Sequence, residues 1–538
     1  MQGSRRFMFV SALVVVLVAA GWFTGRVQAK GDNTYRMFSQ FMDVVGKVRD
    51  NYVEEVDVDG LVEDAIRGML LSLDPHSQYL SSADYTSLKI DTQGSYGGLG
   101  IVIGVRDGYL TVVSPMEGTP ASRMGIRSLD KVVEIDGEPT DGLTLDDAVS
   151  KMRGPRETQV KLTILRDGVD DPLEFVLTRE IIEVKSVPYA FATPDSIGYV
   201  RLSRFSETVA ANLDSALTKL ERGGIKGLVV DLRRNPGGLL TEAIDVSERF
   251  VPRGELVVYT DGRVPVQKAR YHSQSRKVHD GYPLVVLVDG GSASASEIVA
   301  GAIQDLDLGV LVGERSFGKG SVQSVFPLRE GAALKLTTAK YFTPSGRCIH
   351  REEAPPQART AGDIKIGKSA EKAEDPAFKT AAGRTVYGGG GILPDIVVAY
   401  PRISAVAEKL ERNLAFYKFA FEYLSKHKGA KADAFKVTPS VVSEFKKFVK
   451  DKKIDYVEKE FEEDHAYIER AIAREVMSQL SGEEAAFIVH SEGDPQVQKG
   501  FEILRKAHTT ADLFKLAQAM APAEGAASDE KASSAAKQ

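Results

Sequence analysis

Asp289-Gly-Gly-Ser-Ala-Ser-Ala-Ser-Glu-Ile298 follows directly on the uninterrupted apolar run Leu284–Val288. Five apolar residues bounded by turn formers read as a buried strand, and Gly290-Gly291 as a sharp turn. The residues from Ser296 onward, Ser-Glu-Ile-Val-Ala-Gly-Ala-Ile303, read as the first turns of a helix with Ser296 as its cap. A cluster of serines thus falls where a strand passes into a helix. Backbone N–H groups at such an end have no intrahelical partner, so an oxygen placed there lies close to donors able to hold a developing oxyanion. The spacing predicts a nucleophile in this cluster.

Outward from this stretch the pattern repeats. Ser196-Ile-Gly-Tyr-Val-Arg-Leu202 is strand-like, and Val209, Leu213, Leu217 and Leu220 mark one side of a helix. The apolar Gly227-Leu-Val-Val-Asp-Leu232 then runs into Arg233-Arg-Asn-Pro-Gly-Gly238 and a helix over 239–250. Further strands are expected over 310–312, 321–326 and 334–341, and Gly391-Ile-Leu-Pro-Asp-Ile-Val-Val398 closes the unit. Alternating strands and helices of this kind predict an α/β core over 181–400. A charged, Ala- and Lys-rich stretch at 353–390 interrupts it and is expected to be a mobile insert.

The 538 residues are 43% hydrophobic and 27% charged, which is globular composition with length for several domains. A net charge of −6 provides no basic excess to neutralise phosphates, so nucleic acid is excluded as the main partner. The one cysteine, Cys348, excludes an intrachain disulfide and a cysteine-rich metal site. At the N-terminus Arg5 and Arg6 precede residues 7–23, which carry no charge, and Val27-Gln-Ala29 supplies a small-residue cleavage pattern. Residues 1–29 are therefore expected to act as a signal peptide or a membrane anchor, placing the protein in the periplasm or cell envelope.

Residues 34–92 are expected to be helical, with Met37, Phe41, Val44, Val45 and Val48 at three- and four-residue steps and Leu61, Ala65 and Met69 repeating the pattern. Leu73-Asp-Pro-His-Ser-Gln-Tyr-Leu80 breaks the second helix, and His76 is assigned to the turn rather than to a proton relay. Over 94–180, Gly97-Gly-Leu-Gly-Ile101 opens a series of β-rich segments, and Leu145, Ala148, Val149 and Met152 form one stripe on a short helix. With Pro120-Ala-Ser-Arg-Met-Gly-Ile126 and Leu129-Asp-Lys-Val132, this order resembles a circularly permuted PDZ domain of the bacterial kind. The resemblance makes Gly98, Leu99, Gly100 and Ile101 the carboxylate-binding loop, and Leu145 and Val149 the helical wall of a peptide groove. Residues 402–520 read as amphipathic helices, suited to a homo-oligomer interface or an adaptor site. The composition of 521–538, nearly all Ala, Ser, Glu and Lys, predicts disorder.

Three chemistries compete for the glycine–serine and glycine–lysine segments. Gly313-Glu-Arg-Ser-Phe-Gly-Lys319 copies most of a P-loop, but position 320 is Gly where the magnesium ligand Ser or Thr should stand, and the following residues have strand character. A Ser-His-Asp site lacks its elbow glycines around Ser292 and Ser294, and the histidines lie in polar loops or the helical tail. Lysine can fill the place of the base. Its amine must then be neutral near pH 7, about three units below its free value, or about 4 kcal/mol of destabilisation of the ammonium. Gly318 and Gly320 let backbone pack closely around Lys319, and Gln323, four residues on, is expected to share its strand face and orient the amine without adding charge.

Gly291–Ile298, 313–323 and Thr338-Ala-Lys-Tyr-Phe-Thr-Pro-Ser-Gly346 closely resemble the carboxyl-terminal processing peptidases, also called tail-specific proteases. The likeness extends over roughly 35–400. It implies that Ser294 is the nucleophile, Lys319 the base and Gln323 its orienting partner, with no metal or cofactor. The oxyanion donors are expected at the N–H of Ala295 and at Gly237 or Gly238. Asp305, about 16 Å along the same helix from Ser294, is expected to brace the structure rather than complete a triad. Arg153, at the end of the groove helix, matches an arginine that senses peptide occupancy in some members. The fold class that follows is α/β multidomain: a serine-peptidase core of the tail-specific protease type, an inserted PDZ-like β-rich domain, and helical N- and C-terminal regions. The expected function is endoproteolysis near protein C-termini after the groove captures the free tail. A non-catalytic PDZ scaffold binding C-termini in the cell envelope is the alternative.

Overall fold

A computed structural model describes residues 31–351 and 376–520, apart from positions 107, 167 and 402. The expected leader over 1–29, including the apolar 7–23, lies outside the described residues, as do most of the expected insert and the tail beyond 520. Among the described residues no helix is long and apolar enough to cross a membrane.

The core is a six-stranded sheet in the order Tyr189–Ala192, Ile197–Arg201, Gly227–Asp231, Leu284–Val288, Val310–Gly313, Ile396–Val397. Its first pair is antiparallel and all later pairs are parallel. Parallel strands are covered on both faces, which is why these segments are nearly continuous apolar runs. Alternation divides them: Leu228, Val230, Val286 and Val288 pack under the helices Val209–Arg222, Leu240–Ser247 and Ala295–Asp305. Val229, Val285 and Leu287 point the other way.

That second face is covered by the helices Pro495–Lys506 and Thr510–Met520, through Val497, Phe501, Leu504, Leu513 and Ala517. The C-terminal region, expected as one helical appendage, is therefore divided. Its last two helices complete the catalytic layer, whereas residues 405–480 gather around their own aromatic core of Phe416, Phe419, Phe445, Phe448 and Phe461. Arg233 locks the junction: its buried guanidinium donates to Asp231 Oδ2 at 2.6 Å, Asp494 Oδ2 at 2.8 Å and Gln496 Oε1 at 2.9 Å.

A second sheet stands beside the first. Its long strand Ala333–Phe342 pairs with Ser321–Pro327 on one side and with Gln78–Leu80 and Leu256–Gly262 on the other. Gln78–Leu80, expected only to break a helix, is thus a strand lent by the N-terminal region to the sheet that carries the site. The expected mobile insert needs a similar correction: residues 376–390 hold a hairpin, Ala377–Lys379 with Thr385–Tyr387. Arg384 fixes it through ion pairs to Asp307 and Asp395.

The β-rich domain closes on Val112, Val132, Ile135, Leu162, Ile164 and Leu177. Its helix Leu145–Met152 opens with a reciprocal cap between Thr144 and Asp147 and packs against the strand Ile101–Arg106. Ala148 and Met152 are buried, Val149 is half-buried and Leu145 is 38% exposed, so the stripe divides between the domain core and an open edge.

Candidate active site

The strand Leu284–Val288 delivers the chain to the turn 289–293, where Asp289 Oδ1 accepts from the N–H of Gly291 at 2.9 Å and of Arg234 at 2.8 Å. This carboxylate ties the serine turn to the loop after the neighbouring strand. The helix begins at Ala295 with Ser294 in the cap position at φ 55°, ψ −111°, a backbone that non-glycine residues seldom adopt. Strain of this kind holds a side chain out of the run of the chain. Ser296, expected as the cap, lies inside the helix and donates to the Asn235 carbonyl at 2.9 Å. Ser292 likewise donates to Leu232 O at 2.9 Å. Both are buried staples, which leaves Ser294 as the serine of the cluster that is not fully buried.

Glu297, which the sequence did not single out, organises the site. Its carboxylate is fully buried and accepts from Ser294 N at 2.8 Å, Lys319 N at 2.9 Å, Gly318 N at 2.7 Å and Ser316 Oγ at 2.5 Å. Burial pushes its carboxyl up, against four donors that pull it down. Tyr341 adds a second tie: its hydroxyl lies 2.5 Å from the Lys319 carbonyl oxygen and 3.0 Å from that of Ser294. The backbones of Ser294 and Lys319 are thus held by the same two side chains. The spacing Ser294-x-x-Glu297 is that of a capping box, the one signal that could have found Glu297 in the sequence.

Lys319 is half-buried, and no carboxylate pairs with its amine among the described residues. Burial pushes the amine down, the nearby Lys335 charge pushes it further, and Glu297 and Asp74 oppose both. No hydrogen bond joins it to the Ser294 hydroxyl among the described residues. Gln323 differs from expectation in detail. Lys319 precedes the strand Ser321–Pro327, and the Gln323 amide donates to Ser321 Oγ at 2.9 Å and Thr337 Oγ1 at 3.4 Å rather than engaging the amine. Thr337 Oγ1 in turn donates to Asp74 Oδ1 at 3.1 Å, and Thr337 N to Ser77 Oγ at 3.1 Å. The Asp-Pro-His-Ser turn of the N-terminal region is therefore stitched beneath Gln323, with Asp74 also accepting from the His76 and Ser77 N–H groups at 2.8 Å.

Opposite the serine, Gly237 and Gly238 have φ of +100° and +153°. A Cβ on Gly237 would stand 2.9 Å from both Ala295 N and Ser294 Cβ, and one on Gly238 2.1 Å from Phe205 O. Only glycine fits at either place. The Gly237 N–H is consumed by Asn235 Oδ1 at 2.9 Å. Those of Ala295 and Gly238 donate to nothing among the described residues. Asp305 stands apart from this constellation and braces the fold as expected, accepting from Arg347 at 2.7 Å and from Ser345 N at 3.0 Å.

In the β-rich domain, the Leu99 and Gly100 carbonyls accept from Ala121 N at 3.1 Å and Met116 N at 2.8 Å, while their own N–H groups have no acceptor among the described residues. Ile101 begins the neighbouring strand. The Arg153 guanidinium lies 4.6 Å from the centre of the Tyr96 ring, against which Gly98 packs.

Family models match four segments: peptidase family S41 over 196–360, a PDZ domain over 111–166, the C-terminal helical domain of a probable PDZ-protease over 406–463, and the N-terminal domain of the activating protease CtpB over 24–83. The carboxy-terminal-processing protease of Bartonella bacilliformis is 42% identical over 375 residues, 67% of this chain and 85% of that protein. The carboxy-terminal processing protease CtpA of Bacillus subtilis is 35% identical over 363 residues, 65% of this chain and 76% of that protein. Among solved structures, the photosystem II D1 C-terminal processing protease is 32% identical with a TM-score of 0.34, over 56% of this chain and 83% of that one.

Proposed function

The chain belongs to the S41 carboxy-terminal processing proteases, serine-type peptidases that carry a PDZ domain, and from that premise we propose that it cleaves exported proteins near their C-termini with a Ser294–Lys319 dyad. The observation that carries this reading is the setting of Lys319: a half-buried amine without a paired carboxylate among the described residues, on a backbone tied through Glu297 to that of Ser294.

The substrate's terminal carboxylate takes the free N–H groups of Leu99 and Gly100, and its last residues add as a strand between Ile101 and the wall formed by Leu145 and Val149. As substrate excludes water, the neutral Lys319 amine accepts the Ser294 proton and Ser294 Oγ attacks the scissile carbonyl. The oxyanion falls to the Ala295 and Gly238 N–H groups. Lys319 returns its proton to the departing amine, then activates the water that hydrolyses the acyl-enzyme. The serine–lysine hydrogen bond forms with substrate in place, a tightening common to resting hydrolase sites. Gln323 retains its amide oxygen as an acceptor for the Lys319 ammonium. Arg153, stacked on Tyr96 at the loop, reports groove occupancy. Export by residues 1–29 brings the enzyme to its substrates.

Digestion of unfolded casein by the parent, Ser294→Ala and Lys319→Met tests the dyad. Both variants are expected to lose at least about 10³-fold in turnover; cleavage at the parental rate by either one sinks the assignment.

A further inference from the structure

Lys335 has no place in the mechanism above, yet the strand register brings it to the same face. On the strand Ala333–Phe342 it stands opposite Val325 on one side and Gln78 on the other, while Thr337, two residues on, stands opposite Gln323. Directly opposed residues and those two apart share a face, so Lys335, Thr337 and Gln323 look the same way. Lys335 is half-buried, and among the described residues it makes no ion pair and no hydrogen bond. The deeply placed arginines are all engaged: Arg166, Arg233, Arg347 and Arg384 each meet a carboxylate, and Arg179 donates to three carbonyls and a hydroxyl. A cation left without a counter-ion in partial burial costs stability, and such costs concentrate where the charge has a task.

The groups around Lys319 indicate that task. The helix Ala295–Asp305 contributes Glu297, the N-terminal turn Asp74 and the long strand Lys335. Both carboxylates are saturated by other donors, Glu297 by three N–H groups and Ser316, Asp74 by two N–H groups, Ser77 and Thr337. Lys335 is the cation left unmatched beside them. Resting on the dyad assigned above, we propose that Lys335 is a positioning residue for proton transfer: its uncompensated ammonium, on the face shared with Gln323, keeps the Lys319 amine in the uncharged form that can take the Ser294 proton. Burial pushes both amines down, and the Lys335 charge pushes Lys319 further while Glu297 and Asp74 oppose it.

Two readouts test this. The first is the pH profile of kcat/KM on unfolded casein for the parent, Lys335→Met and Lys335→Arg. Removing the charge makes Lys319 easier to protonate, so Lys335→Met is expected to move the acid limb up by about one pH unit with the plateau retained. Lys335→Arg keeps the parental limb. Lys335→Gln serves the same purpose if Lys335→Met does not fold. An unmoved limb, a loss equal at all pH values, or a change confined to KM overturns the proposal. The second readout needs no turnover: competitive acetylation by acetic anhydride, followed at Lys319 by mass spectrometry in the Ser294→Ala background. Its midpoint pH must rise with Lys335→Met and stay with Lys335→Arg. Should labelling shift while the dyad variants keep full activity, the lysine coupling stands and the dyad falls. A labelling midpoint unmoved by Lys335→Met overturns the coupling itself.

Discussion

Glu297→Gln separates the scaffold of the site from its proposed chemistry, because the side chain touches the backbones of Ser294 and Lys319 without being proposed to touch substrate. The amide can present one oxygen where the carboxylate presents two. Placed at the Oε2 position, that oxygen keeps the N–H groups of Ser294 and Lys319 and turns an NH2 toward Gly318 N and Ser316 Oγ. Ser316 Oγ already accepts from Ile392 N at 2.7 Å and can accept again, so the Gly318 N–H is left orphaned and the Ser316 hydroxyl proton must find another acceptor. One orphaned buried N–H costs about 1–3 kcal/mol, and two bonds reduced from a charged to a neutral acceptor cost about 1 kcal/mol each. The expected local destabilisation is therefore about 3–5 kcal/mol. Because global unfolding of a multidomain chain is not two-state, the suitable assay is hydrogen exchange at the Ser294, Gly318 and Lys319 amides. Exchange should accelerate by at least about 10²-fold, with kcat falling further than KM rises. Unchanged protection at all three amides, together with parental kcat, would refute the claim that one carboxylate holds the nucleophile and base segments together.

Burial and Lys335 lower the Lys319 pKa from 10.5, so kcat/KM should rise with pH along a limb that lies below the ordinary lysine range, as the ammonium loses its proton. The folded state binds fewer protons than the unfolded one between the lowered and ordinary values, so this group's contribution to stability increases with pH across that window and its penalty is greatest below it. Lys319→Met removes the penalty and should slow hydrogen exchange at the amides of Gly318 and of position 319 at neutral pH while abolishing turnover in the casein assay; faster exchange there counts against a strained base. Gly237→Ala would set a methyl 2.9 Å from Ala295 N in a left-handed backbone, and kcat should fall about 10²–10³-fold with KM little changed, as for a lost oxyanion donor. Asp494→Asn keeps an acceptor for the Gln496 and Val497 N–H groups but removes the charge facing Arg233. That should cost about 3 kcal/mol and open the junction before Pro495 to limited proteolysis, whereas parental resistance would show that the ion pair does not hold the layer.

The α/β core was legible because both-face burial writes itself as unbroken apolar runs, as at Leu228–Val230 and Leu284–Val288, whereas the division of the strands between two sheets was not. Ser294 and Lys319 stood out as candidates for a different reason: chemistry at a strand end needs particular residues flanked by glycine. Glu297 was hidden by its own type, since an acid in the first turn of a helix reads as a favourable charge near the macrodipole rather than as a buried bracket. Gln323 was placed on the right strand, but the sequence could not show that Thr337 and Asp74 compete for its amide. The two roles of the C-terminal helices were invisible to periodicity, because Val497, Phe501 and Leu504 make the same amphipathic stripe whether they cover a sheet or another helix. Lys335 gave no signal at all, since lysine on a strand ordinarily marks a solvated edge.

The helices at 495–520 form one whole side of the catalytic layer, and Arg233 joins them to the strand that precedes the oxyanion loop. Without this stretch Val229, Val285 and Leu287 would face solvent. A chain clipped near Pro495 is therefore expected to lose the surface against which the sheet sets, and with it the bracing of the strand that leads to Gly237 and Gly238.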